Sequence, residues 1–345
     1  MLPGQGHVHA QAISEALENA REGVGLMAGC EPFEVVFTSG GTESNNLAIL
    51  GLMAKSEPGH ILVSELEHDS VLSAAMSLAT RGWEIEMVEP EESGLIDPDR
   101  VASMLRKNTR LVCVQAANPI LGTIQNIREI ADVVHNRGVP IHCDATQVFG
   151  KTEIDVSQLR ADTVSISGHK FYAPKGSGAL YVRRGLQVAP VAYGEPREMG
   201  LRPGAENVPG WIGLGAAARL ASKCAADAAA NFRQLNERFI SGLRSSLSPE
   251  PIVLCEDSQR LPNTVAVELP GVARQIQKTA RQLVFATAQS DTPPDEMTRA
   301  LRAVGRSDSQ IARTVCFSFG WTTSRDQIDR AIEMIAEAWD TVLPR

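Results

Sequence analysis

A chain of 345 residues exceeds what one hydrophobic core usually serves, so two domains are expected. Its 43% apolar and 21% charged content is that of a soluble globular enzyme, and a net charge of −8 argues against nucleic acid and gives an anionic membrane nothing to hold. Six scattered Cys lack metal-type spacing, and Cys113 and Cys143 sit inside apolar runs; they imply reduced thiols, a cytoplasmic location and no metal site. There is no apolar stretch of membrane-spanning length and no opening signal peptide, so no membrane partner is expected.

From Ala10 to Met27 the apolar residues Ile13, Leu17, Ala20 and Val24 recur at helical steps. Strand-like runs then alternate with helical segments. The strands are expected at Glu34 to Thr38, His60 to Ser64, Trp83 to Val88, Arg110 to Gln115, Val139 to Cys143, Thr163 to Ser167 and Gly178 to Val182. Helices are expected at Ser44 to Met53, Ser70 to Thr80, Asp97 to Arg106 and Asn126 to Asn136. This alternation predicts an α/β fold with a mostly parallel, seven-stranded sheet covered by helices on both faces. Ile212 to Leu247, rich in Ala, Leu and Arg, predicts one or two long helices. Short β-like runs beyond it, Asn263 to Leu269 and Thr314 to Phe319, mix with helical Pro294 to Val304 and Arg325 to Ala338. The expected division is a large domain over 1–225 and a smaller C-terminal α+β domain over 226–345.

Polar chemistry gathers where the strand-like runs end, which is where open α/β sheets bind ligands. His142-Cys143-Asp144-Ala145-Thr146-Gln147 closes one run and Ser165-Ile166-Ser167-Gly168-His169-Lys170 another. An acid, an amide, a hydroxyl, an imidazole and an amine together suit pyridoxal phosphate (PLP), which needs a lysine amine for its aldehyde and an acid for its ring nitrogen. Lys170 is the candidate amine, and Asp144 the candidate ring-nitrogen partner. Gln147 is placed to donate to the phenolic oxygen, although Asp144 and Gln147 also have the spacing of a helix capping box. Ser39-Gly40-Gly41-Thr42-Glu43-Ser44-Asn45-Asn46 joins a strand to a helix, so Gly41 and Thr42, with Ser167 and His169, form a candidate phosphate cup. His68, in Glu65-Leu66-Glu67-His68-Asp69-Ser70, stands at another strand end as a residue to stack on the ring or handle protons.

These blocks, in this order, resemble the cysteine desulfurases of the class V aminotransferase superfamily, PLP-dependent enzymes of fold type I. The resemblance runs nearly end to end, through Ala117-Asn118, Gly122-Thr123-Ile124-Gln125, Pro174-Lys175-Gly176-Ser177-Gly178, Gly200-Leu201-Arg202-Pro203-Gly204, Asn207-Val208 and Leu261-Pro262-Asn263-Thr264. It implies that Lys170 carries the cofactor and shuttles a proton, that His68 stacks on its ring, and that Asp144 and Gln147 bind the ring nitrogen and phenolic oxygen. It implies a phosphate site of Thr42, Ser167 and His169, with Asn118 positioning substrate or cofactor. It also implies a homodimer, a small amino-acid substrate and a sulfur-acceptor protein as partner.

The chain departs from this family at the substrate side. Members carry a nucleophilic cysteine on a loop before a helix like Glu296 to Val304, but 285–294 here contains none, and Ser290 is the nearest match. A serine hydroxyl is scarcely ionised at neutral pH and cannot store sulfur as a persulfide. Cys316 stands where the family has the arginine that clamps the substrate carboxylate, and Arg313 is on the wrong face of the strand to replace it. Arg197 and Arg202 are better placed to compensate. Ala205 replaces a threonine that reaches the partner's phosphate, and Arg197 replaces a glutamine. Met1 falls where relatives have already run through an extended opening segment that lines the site. Cys316 and Cys255 are expected to be packing residues. Three functions stay open: a desulfurase converting L-cysteine to L-alanine, a PLP lyase or aminotransferase with another substrate, and a silent paralogue acting as a binding partner.

Overall fold

The computed structural model describes residues 8–269, 276, 278, 280, 283–288 and 294–342. The chain forms two compact units. The first comprises Met1–Val88, Ile96–Ala116 and Gln125–Ala225; the second comprises Glu89–Leu95, Ala117–Ile124 and Ala226–Arg345.

The first unit runs α1 (Val8–Ala28), β1 (Val35–Thr38), α2 (Gly41–Met53), β2 (His60–Ser64), α3 (Asp69–Ala79), β3 (Glu84–Val88), α4 (Pro98–Met104), β4 (Thr109–Cys113), α5 (Ile127–His135), β5 (Ile141–Asp144), α6 (Val156–Leu159), β6 (Thr163–Ser167) and β7 (Gly178–Val182). Its sheet has the order β1-β7-β6-β5-β4-β2-β3. Neighbours from β6 to β3 are parallel, whereas β7 is antiparallel to both β6 and β1. Six strands therefore share one direction, and their carboxyl ends lie along one edge. The expected mostly parallel seven-stranded sheet is what the chain forms.

Burial explains why these strands lack alternation. Every residue of β1, β2, β5 and β6 is buried, as helices on both faces require. Only β3, at the sheet margin, is mostly part-exposed. Ile49, Leu78, Ile61, Val63 and Leu111 form one apolar layer of this unit.

Arg21, a charged residue in the middle of α1, is buried as well. Its guanidinium makes paired bonds of 2.7 and 2.8 Å to the Glu198 carboxylate, and it lies 4.5 Å from the Phe37 ring centroid. Glu198 also accepts the Phe37 N–H at 2.8 Å. Glu198 and Met199 adopt φ of +45° and +57°, which costs a non-glycine residue energy, and the buried ion pair holds that turn against β1.

A single helix, α7 (Val208–Ser246), covers the Ala/Leu/Arg-rich stretch, and the division between units falls inside it. The second unit continues with β8 (Ile252–Val253), β9 (Thr264–Glu268), β10 (Ala286–Thr287), α8 (Glu296–Ala303), α9 (Asp308–Ile311), β11 (Thr314–Ser318) and α10 (Arg325–Val342). Its antiparallel sheet, ordered β10-β11-β9-β8, packs Val265, Val267 and Phe317 with Phe239, Ile335 and Trp339. Phe239 meets Phe317 edge-on, with centroids 4.8 Å apart.

Candidate active site

The carboxyl ends of β1, β2, β5 and β6 bring most of the expected residues together in the first unit. After β1 the chain turns through Gly40, at φ +148° and ψ −174°, a conformation essentially reserved for glycine. It then enters α2, whose free N–H groups and dipole favour an anion. A Cβ on Gly41 would come within 2.8 Å of Thr146 Cγ2 and 3.6 Å of Ser167 Cβ, so the backbone there is tightly cradled. Ser167 Oγ lies 3.2 Å from His169 Nδ1. Burial first, then Lys170 and Lys175, draw the His169 pKa down. Thr42, in the first turn of α2, is exposed.

Asp144 ends β5 with only 5% of its surface exposed. Its Oδ1 accepts the Thr146 N–H at 2.9 Å, and its Oδ2 accepts Asn45 Nδ2–H at 2.7 Å. The segment after it is a turn rather than a capped helix, so the capping-box alternative for Gln147 does not apply. Gln147 Oε1 instead accepts a 2.7 Å bond from Lys151 Nζ. That bond turns the donor end of the amide away from Lys151.

Lys170 follows β6 in a short 3-10 turn, Gly168–Phe171, and its side chain is exposed. Gly168 is confined there, because a Cβ would approach Leu214 Cδ1 and the Ser177 carbonyl, both at 2.8 Å. Lys151 is the nearby cation that sequence reasoning missed. Loss of hydration, and then the Lys170 charge, lower its pKa to about 7. His68 caps α3: its Nδ1 accepts the Ser70 N–H at 3.1 Å and lies 2.8 Å from Ser70 Oγ.

Asn45, Ser70 and His142 were also missed as site residues, although each stands in a quoted motif. Asn45 Nδ2 bonds Ser70 Oγ at 2.8 Å, and Asn45 Oδ1 meets His142 Nε2 at 3.0 Å. Burial overrides the adjacent Asp144 carboxylate and lowers the His142 pKa to about 4. No local spacing signals these contacts, since Asn45 and Asp144 are 99 residues apart.

Other expected residues lie in the second unit. Asn118 is fully buried there, and its Oδ1 accepts the N–H groups of Ile120 and Leu121, both at 2.9 Å, capping its own turn. Cys316, in β11, is 7% exposed, with Sγ 3.4 Å from the Ile120 carbonyl. Burial pushes its thiol up to about 12, so it packs rather than reacts. Cys255 Sγ lies 3.7 Å from the Glu92 carbonyl, and burial raises its pKa too. Arg313 Nη2 is held 2.6 Å from Glu268. In the first unit, Arg197 pairs with Glu195 at 3.0 Å, and Arg202 pairs with Glu43 at 3.2 Å. Ser290 lies outside the described residues.

Comparison with known proteins covers almost the whole chain. The family model described as aminotransferase class-V matches residues 4–284. A protein named cysteine desulfurase IscS from Ectopseudomonas mendocina is 36% identical over 340 residues, covering 97% of this chain and 84% of its own. Cysteine desulfurase IscS 1 from Archaeoglobus fulgidus is 33% identical, over 96% of this chain and 88% of its own. Among solved structures, a NifS-like protein superposes with a TM-score of 0.91 at 26% identity, over 99% of this chain and 92% of that one. SspA in complex with cysteine superposes with a TM-score of 0.80 at 32% identity, over 92% and 90%. A family model that matches most of the chain, with relatives above 30% identity along nearly all of it, shows that the chain belongs to the class-V aminotransferase family as a PLP-dependent enzyme of the cysteine desulfurase type.

Proposed function

We propose that the chain binds PLP through the strand-end cluster of its first unit and acts there on an amino acid. The buried Asp144 carboxylate, held between Asn45 and Thr146, carries this reading most directly. The residues fit the group: the free N–H groups at the start of α2 favour an anion, an acid is fixed at the end of β5, and an amine stands in the turn after β6. Bound there, PLP supplies an aldehyde and an electron-withdrawing pyridine ring.

The protein's own groups divide the remaining work. The start of α2, with Thr42, Ser167 and His169, holds the phosphate. Asp144 keeps a proton on the ring nitrogen, and Gln147 donates to the phenolic oxygen. Lys170 Nζ anchors the cofactor and then carries a proton. His68 covers the ring face. Asn118 sets its own turn in the second unit, and its role in positioning substrate rests on the family resemblance alone.

L-cysteine is the first substrate to test, because SspA was solved in complex with cysteine at 32% identity to this chain. A second reading, a PLP lyase or aminotransferase acting on another amino acid, is favoured by the lack of any cysteine in 285–294 and by the buried, high-pKa thiol of Cys316. PLP-loaded protein incubated with L-cysteine distinguishes them. Alanine with persulfide establishes the desulfurase, and a sulfur acceptor then follows as partner. A spectral response to other amino acids alone establishes the second reading. Failure to take up PLP makes the chain a silent, binding paralogue.

We also infer a homodimer. Val191, Tyr193 and Met199 are exposed along one segment of the first unit, Tyr193 by 91%, and a second copy would cover them. The six free cysteines suit a reducing cytoplasm. Among the described residues no helix is long and apolar enough to cross a membrane.

A further inference from the structure

The hydrogen bonds between Asp144 and His68 have only one consistent set of directions. Asp144 Oδ1 accepts from the Thr146 backbone at 2.9 Å, and its other oxygen faces Asn45 at 2.7 Å. A carboxylate accepts only, so the Asn45 amide must turn its nitrogen toward it. Both protons of that nitrogen are then engaged, one by Asp144 Oδ2 and one by Ser70 Oγ at 2.8 Å. Asn45 Oδ1 faces His142 Nε2 at 3.0 Å, which makes Nε2 the protonated nitrogen of that ring. His142 Nδ1 is left to accept from Thr163 Oγ1 at 2.9 Å. Ser70, having accepted from Asn45, turns its own proton to His68 Nδ1 at 2.8 Å. The Ser70 backbone N–H aims at the same nitrogen from 3.1 Å.

We propose that Asn45 and Ser70 are positioning residues that relay the orientation of the Asp144 carboxylate to His68, holding its neutral ring as the Nε2–H tautomer. Two donors converge on Nδ1, so a proton placed there would meet them both. In this tautomer His68 presents Nε2–H as a hydrogen-bond donor and no bare nitrogen to take a proton, and the group expected at the ring nitrogen and the group expected at the ring face are set by one line of bonds. The line is shielded: Asn45 is 1% exposed, Ser70 8% and Asp144 5%. In a buried setting such a chain is stiffer than its separate bonds, because water does not compete for its members. The tautomer follows from this geometry alone; its catalytic meaning rests on the roles proposed above for Asp144 and His68.

The test is the two-bond proton–nitrogen NMR spectrum of full-length protein labelled with ¹⁵N-histidine, recorded at pH 8 with and without PLP, the His68 signals being assigned by their loss in His68→Gln. The wild-type protein is expected to show His68 protonated at Nε2 and bare at Nδ1. Ser70→Ala is expected to raise the Nδ1–H fraction about tenfold, the equivalent of one lost hydrogen bond. Ser70→Thr, which keeps the hydroxyl, is expected to restore the wild-type pattern. His68 protonated at Nδ1 in wild-type protein overturns the relay, and so does a Ser70→Ala spectrum identical to wild type. The wild-type tautomer decides by itself if Ser70→Ala does not fold. PLP absorbance is read on the same samples. Its absence in wild type overturns the functional reading alone, while the tautomer still decides the relay.

Discussion

Asp144 and Cys316 are both nearly buried strand residues, yet they differ in what surrounds them. Asp144, in the first unit, is met by an amide and a backbone N–H aimed at its two oxygens. Cys316, in the second, has its Sγ against the carbonyls of Pro119 and Ile120 and its ionisation suppressed by burial. One site is arranged to keep a charge working; the other is arranged to keep a side chain quiet. The groups proposed to hold a cofactor meet at strand ends of the first unit, whereas Cys316, which the resemblance sets against the family's carboxylate clamp, is packed in the second. Cofactor binding and substrate choice are thus separable in the sequence, and each can be tested apart from the other.

The comparison can be broken or sharpened by substitution. The largest effect on stability is expected from Arg21→Met, which strands the Glu198 carboxylate where only 5% of its side chain is exposed. An uncompensated buried charge costs about 3–5 kcal/mol, read as a lowered urea midpoint. The double variant with Glu198→Met should recover much of it; no recovery would mean that the ion pair does not hold the turn.

Acid comes next. His142 has a folded-state pKa of about 4 against 6.5 for the free side chain, so the unfolded chain binds a proton that the folded chain refuses. Its contribution is therefore fully present above pH 6.5 and is lost progressively toward pH 4, by about 3 kcal/mol in all. His142→Gln should flatten urea midpoints across that window, and an equally steep decline would place the acid sensitivity elsewhere.

Asp144→Asn is expected to leave the fold in place and to weaken PLP retention by about 10–100-fold, the worth of a charge-assisted hydrogen bond. Equilibrium dialysis measures it, and unchanged retention would remove Asp144 from the cofactor. The smallest effect belongs to Cys316→Ala, expected to change stability by about 1 kcal/mol and to leave any turnover within twofold. Rapid alkylation of Cys316 in the native protein at pH 8 would contradict its assignment to packing.

Much of the framework was legible from residues alone because the parallel strands are continuous apolar runs that stop abruptly at polar groups. His60 to Ser64 and Thr163 to Ser167 coincide with the strands formed. The strand ends also pointed to Asp144, Ser167 and Lys170, which lie at the ends of β5 and β6 and in the turn that follows. What stayed hidden depends on tertiary approach. Arg21 sits on a helix among polar residues, and its partner Glu198 is 177 residues away. Asn45, Ser70 and Asp144 come from three different strand ends. Lys151 looks like any surface lysine until its partial burial and the nearby Lys170 charge are known. The Asp144–Gln147 spacing suited both a capping box and a cofactor contact, and only the turn after β5 removed the first.

The central claim is that Lys170 of the first unit carries PLP. Its most direct test is the near-visible absorbance of purified protein mixed with PLP and then dialysed, compared between wild type and Lys170→Ala. The wild-type protein should keep the absorbance of lysine-bound cofactor through dialysis and lose it on borohydride reduction, while Lys170→Ala shows none. A Lys170→Ala spectrum indistinguishable from wild type would contradict the account.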